Sequence, residues 1–87
     1  MYVILVYDVA QRRVGKMLKL CRQYLYWIQN SVFEGELSEA KLRELKSHIG
    51  SIIDIDTDSV IIFTNKMSYN MDKEILGKER MSTDNFL

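Results

Sequence analysis

The sequence predicts an α+β domain in which two amphipathic helices pack on one face of an antiparallel sheet. Three observations carry this. Met1–Val9 (MYVILVYDV) is a β-branched and aromatic run that suits a pleated, buried surface. Two later segments repeat apolar residues at helical spacing, and each leads into a segment of strand composition. The chain's 87 residues then limit it to a single domain, 1–87, which buries roughly 60–65% of its unfolded surface.

Tyr2 to Tyr7 are apolar without alternation, the pattern of a central strand covered on both faces. Asp8 ends the strand with a carboxylate where a rigid scaffold meets a loop, a common place for chemistry. The plain alternative is a cap or turn residue. Arg12–Trp27 predicts a helix, because Val14, Met17, Leu18, Cys21 and Leu25 fall on one helical face. Trp27–Leu37 predicts a second strand, with Gly35 at a bulge or bend. Ser38 is placed to cap a second helix whose buried stripe is Leu42, Leu45, Ile49 and Ile52, with Gly50 a candidate terminator.

Asp54, Asp56 and Asp58 begin like a calcium loop. Ser59 and Asn65 stand where that loop needs glycine and a bidentate glutamate, so the segment is expected to be an acidic turn. Ser59–Thr64 predicts a third strand, Asn65–Asn70 a polar connection, and Met71–Leu76 a mixed-polarity edge strand that Gly77 breaks. Residues 78–87 form a tail, polar apart from Met81, Phe86 and Leu87. Read strictly, the order is βαβαββ. A turn inside Trp27–Leu37 converts it to βαββαβ with an additional C-terminal strand, the ferredoxin-like sandwich.

Net charge is zero, but the distribution is not even. Arg12, Arg13, Lys16, Lys19 and Arg22 lie in a stretch without an acid, whereas Glu34–Asp58 carries seven acids and three bases. Arg12 and Arg13 open a helix, where the dipole disfavours cations, and this points to an external anion. A solvated polar face is the plain alternative. Arg12, Arg13, Lys16 and Lys19 are therefore the candidate nucleic-acid contacts, through phosphate and without sequence preference. The lone Cys21 and the lack of Cys/His metal spacing fit a reducing, cytoplasmic setting. His48 is read as a surface residue. No apolar run approaches the ~18 residues of a membrane span.

YDV at the first strand's exit, then IQNSVFEGEL, DSVIIF, ILGKE and STDNFL, together resemble the CRISPR-associated Cas-two family over nearly the whole chain. The resemblance implies a ferredoxin-like homodimer whose C-terminal segments close the sheet across subunits. It further implies a role in spacer acquisition beside the Cas-one integrase, and a magnesium-dependent nuclease activity reported for some members. Carried over by position, Asp8 is the metal-binding carboxylate with Tyr7 beside it. Arg12 or Arg13 matches a basic position after the first strand, and Ser31 and Phe33 match the SVF motif. Two departures stand out: Trp27 replaces a residue that is basic in many members, and Ala10–Gln11 lacks an acidic run often found there.

A magnesium site needs only one or two protein carboxylates when waters and substrate phosphates complete the octahedron. One Asp8 per chain then suffices if a two-fold axis brings two copies to one ion. Two functions follow: a metal-dependent endonuclease acting through Asp8, and a non-catalytic dimeric adaptor that bridges integrase dimers along DNA. A small-ligand regulatory domain ranks last, because no glycine-rich ligand loop is present.

Overall fold

The structure, a computed structural model, describes residues 1–67 and 70–79. Its elements in chain order are β1 (Tyr2–Asp8), α1 (Gln11–Cys21), β2 (Tyr26–Gln29), β3 (Val32–Glu36), α2 (Glu39–Ile52), β4 (Ser59–Met67) and β5 (Asn70–Gly77). One sheet runs β2-β3-β1-β4-β5, antiparallel at every pairing. This is the ferredoxin-like βαββαβ arrangement with β5 added at an edge.

The expected single strand at Trp27–Leu37 is a hairpin. Asn30 turns it with φ +45°, a left-handed conformation that Asn tolerates better than most side chains. The indole N–H of Trp27 donates to the Asn30 carbonyl at 2.8 Å and ties the turn together. The ladder slips by one residue between Trp27 and Gln29, so the bulge lies at Ile28 and not at Gly35. Gly35 pairs in register with Val3, and a Cβ there would stand 3.2 Å from the Leu25 side chain. Close packing under Leu25 explains that glycine.

The first helix is also shorter than its periodicity implies. It ends at Cys21, and the chain turns through Gln23→Leu20 and Tyr24→Cys21 backbone hydrogen bonds. Leu25 keeps its helical phase across this turn and remains buried, which is why spacing alone extends the helix too far. Conversely, α2 passes through Gly50 to Ile52, and β4 extends to Met67 across the first half of the expected polar connection. Ser38 does cap α2, its hydroxyl accepting from the Lys41 N–H at 3.1 Å. The tail residues 80–87, including Met81, Phe86 and Leu87, lie outside the described residues.

Burial along β1 alternates: Val3, Leu5 and Tyr7 point into the core, while Tyr2, Ile4 and Val6 are half-exposed. Met17 and Cys21 of α1 and Leu42, Leu45 and Ile49 of α2 cover the core side, with Phe33, Val60 and Ile62 beneath them. Val14, expected in the buried stripe, is exposed. Burial pushes the Cys21 thiol up to about 12, so it packs as a small hydrophobe and is no nucleophile.

Among the described residues, no helix lies on the opposite face of the sheet. Register and alternation place Ile4, Val6, Val32, Ile61, Phe63 and Ile75 on it, all only partly buried. Among the described residues only one side of β1 is covered, so the expected cover on both faces is not met by them.

Candidate metal and nucleic-acid site

Asp8 is the last residue of β1 and is exposed, paired across the ladder with Ser59. Strand alternation puts its side chain on the face of Val6, at one end of the helix-free surface. Tyr7 points the other way. It is 5% exposed and stacks on the fully buried Phe33, with ring centroids 5.9 Å apart and an interplanar angle of 22°. Burial raises the Tyr7 phenol above its ordinary value. The placement of Tyr7 beside the metal, and of Phe33 as a substrate residue, thus gives way to a packing role for both. Ser31 sits in the β2–β3 turn, where its carbonyl accepts the Tyr7 N–H at 3.2 Å.

The loop that follows Asp8 is held by a residue read from sequence only as part of an acidic turn. Asp58 is fully buried. Its carboxylate accepts from the Ala10 N–H at 2.9 Å, from the Asp54 N–H at 3.0 Å, and from Arg13 through both Nε and Nη2, the latter at 3.0 Å. The Asp58 carbonyl accepts from the Lys78 N–H at 2.7 Å, and a Cβ on Gly77 (φ +87°) would fall 2.3 Å from that oxygen. One side chain therefore joins the β1–α1 loop, the start of α1 and the α2–β4 turn, while its backbone fixes the end of β5.

Arg13 holds the Asp58 carboxyl far below the usual carboxylate range, with the two backbone donors assisting against the cost of burial. The same bond raises Arg13. With 13% of its side chain exposed and its Nε and Nη2 both bound to Asp58, Arg13 is a structural clamp and not the free phosphate contact expected. Arg13 and Asp58 are 45 positions apart, which hides the pairing from local sequence pattern. Its one sequence signal was an acid next to the buried start of a strand.

Arg12, Lys16 and Lys19 are exposed on α1. Lys16, Lys19 and Gln23 line one wall of a groove of about 310 Å³, and His48 and Ser51 of α2 line the other. Trp27 is half-exposed, and Arg22 lies over its ring.

A family model described as CRISPR associated protein Cas2 matches residues 1–71. The chain belongs to the Cas2 family. It is 48% identical over 87 residues to the CRISPR-associated endoribonuclease Cas2 of Dictyoglomus turgidum, covering all of both chains. The protein of the same name from Thermotoga maritima is 48% identical over 80 residues, with 92% of each chain covered. Among solved structures, a crystal structure of Cas2 superposes with TM-score 0.74 at 44% identity, over 97% of this chain and 94% of the other. The Streptococcus pyogenes Cas2 crystallised at pH 6.5 gives 0.69 at 34% identity, over 75% and 86%. These Cas2 structures agree with the ferredoxin-like fold read here.

The residues fit a hard divalent cation in one arrangement. Among the described residues no group of three or more His, Cys, Asp or Glu side chains could hold a metal within one chain. An exposed carboxylate at a strand end does suit magnesium, which takes one or two carboxylates and completes its shell with water and phosphate. Asp8 is the residue that would supply such a carboxylate, one per chain.

Proposed function

We propose that this Cas2 family chain acts in CRISPR adaptation as a homodimer, with divalent-metal-dependent endonuclease activity on nucleic-acid phosphodiesters. The observation that carries this is the position of Asp8 at the end of an apolar sheet face that the chain's own helices leave uncovered. A second copy covering Ile4, Val6, Ile61 and Phe63 across a two-fold axis removes that apolar surface from water. It also brings two Asp8 carboxylates toward one axis. The two carboxylates would hold a magnesium ion there, which when bound would supply Lewis-acid chemistry at the phosphodiester. The two Asp8 side chains position it, and Arg12, Lys16 and Lys19 hold substrate phosphates. The relatives' names make RNA the first substrate to test. Cleavage of single- and double-stranded RNA and DNA is the test: it should require magnesium and disappear in Asp8→Ala. Equal cleavage by the variant would refute the assignment.

The dimer has its own check. Ile61→Glu places a charge in the middle of the uncovered face, so sedimentation should show wild-type dimers and variant monomers at micromolar concentration. A variant that remains dimeric would move the interface elsewhere.

The sparse ligand set among the described residues of one chain favours a second reading, a dimeric adaptor that bridges Cas-one integrase dimers and follows the DNA backbone without hydrolysis. Both readings share the basic helix. Each of Arg12, Lys16 and Lys19 neutralised to Gln should lower affinity for any nucleic acid and reduce the salt slope of log K by about one. Arg13→Gln should instead lower stability, and an unchanged salt slope in the first three variants would make α1 a merely solvated face.

A further inference from the structure

Asp8 is the last residue of β1, so the loop that follows decides where its carboxylate points. That loop has little to hold it locally. Val9 and Ala10 leave the sheet at once, and α1 starts at Gln11. Ala10 is the N-cap of α1 and makes no side-chain cap, and the helix has no acid in its first turn. The turn carries Arg12 and Arg13 instead, two cations at the positive end of the helix.

What the loop lacks is supplied by residues 57–59. Ser59 pairs with Asp8 across the ladder. The Asp58 carboxylate accepts the Ala10 N–H at 2.9 Å and receives Nε and Nη2 of Arg13. Nη2 also donates to the Thr57 hydroxyl at 3.3 Å. Asp58 is itself anchored, fully buried, with its Oδ2 on the Asp54 N–H at 3.0 Å and its carbonyl on the Lys78 N–H at 2.7 Å. One rigid segment therefore holds the chain at Asp8, again at Ala10, and again at Arg13. Stability is a weak reason for such a pair, since a buried ion pair exchanged for apolar residues of equal volume is often neutral or better. Its placement around the exit of β1 is the more telling feature. Magnesium demands near-ideal octahedral geometry, and a ligand constellation must be held to within about 0.5 Å to function. Where two copies share one ion, a displacement in one chain is repeated in the other by symmetry.

We propose that Asp58, acting through Arg13 and the Ala10 N–H, is a positioning residue for the Asp8 carboxylate and sets the metal affinity of the site. The inference rests on the metal-dependent reading above and adds to it the residue that aligns its ligand. Nucleic-acid affinity at saturating metal does not depend on this alignment.

The test compares Asp58→Asn and Arg13→Lys with Leu45→Ala, which empties a fully buried position on α2 outside this set of contacts. All three lower stability, so each is assayed where circular dichroism shows it folded and sedimentation shows it dimeric. Manganese binding is read by electron paramagnetic resonance with a nucleic-acid strand present, and Asp8→Asn gives the background. Asp58→Asn should weaken manganese binding by about 10- to 100-fold, as loss of an orienting partner does at other metal sites, and raise the magnesium midpoint of cleavage by the same factor. KM for the strand at saturating metal should stay at the wild-type value. Arg13→Lys keeps the charge but loses the two-pronged contact, so its loss should be intermediate. Leu45→Ala should bind metal as the wild type does. Should Asp58→Asn fail to fold, Arg13→Lys decides. Wild-type metal affinity in the Asp58 and Arg13 variants would overturn the positioning role and leave Asp8 standing as the ligand. An equal loss in Leu45→Ala would also overturn it, because any destabilisation would then have the same effect. No manganese bound by the wild type above the Asp8→Asn background would overturn the metal reading itself, and the positioning role with it.

Discussion

Asp58→Asn is expected to lower the folding free energy by about 3 kcal/mol, the lower end of what breaking a buried pair costs, because part of Arg13 still reaches water. The substitution removes a charge that faces Arg13, the Ala10 N–H and the Asp54 N–H, and it turns an amide donor toward other donors. The acid dependence provides a second reading. In the folded chain the Asp58 carboxyl titrates far below its ordinary value, whereas in the unfolded chain it titrates near pH 4. As pH falls past about 4, the unfolded state takes up a proton that the folded state refuses, and stability declines. The contribution is therefore complete above that pH and is lost on acidification. Urea unfolding of wild type and Asp58→Asn between neutral pH and pH 2 should show a gap that narrows as acid is added. A gap independent of pH would show that lost packing, not the carboxylate, causes the defect.

Asp8→Asn should behave in the opposite way. The side chain is exposed and nearly isosteric with its replacement, so melting temperature and dimerisation should stay close to wild type. Metal-dependent cleavage should fall on the order of a thousandfold or more, because metal-ion stabilisation of the transition state is worth several kcal/mol. If Asp8 only capped the turn into α1, Asn would serve equally well, since both side chains accept the same backbone hydrogen bond. On the adaptor reading, spacer acquisition in cells is expected to survive the substitution, because bridging an integrase would require shape and positive charge. Acquisition that collapses with the fold and the complex intact would make cleavage the physiological function.

Most of the architecture was legible because β1, β4 and α2 each carry a strong local pattern. The hairpin at Asn30 was hidden because no glycine marks it: an Asn in the left-handed region and a tryptophan hydrogen bond do the work of a stronger turn signal. Leu25 prolonged the apparent helix because it stays buried and its N–H still bonds to the Cys21 carbonyl at 2.8 Å beyond the last helical residue. Asp8 and the cations of α1 could be singled out from type and position. Arg13 could not be told from Arg12, since the residue that distinguishes them arrives only when β4 returns beside β1. Tyr7 failed as a site residue for a simple reason of parity: the residue next to Asp8 in a strand faces the other side of the sheet.

The central claim is that two Asp8 carboxylates, one from each protomer, hold a single divalent ion. Manganese, which substitutes for magnesium at oxygen ligands, allows the bound ions to be counted by electron paramagnetic resonance during titration. The wild type should bind one ion per two chains in the presence of a nucleic-acid strand, and Asp8→Asn should bind none at this site. One ion per chain, or unchanged binding in Asp8→Asn, would contradict a shared site at the two-fold axis.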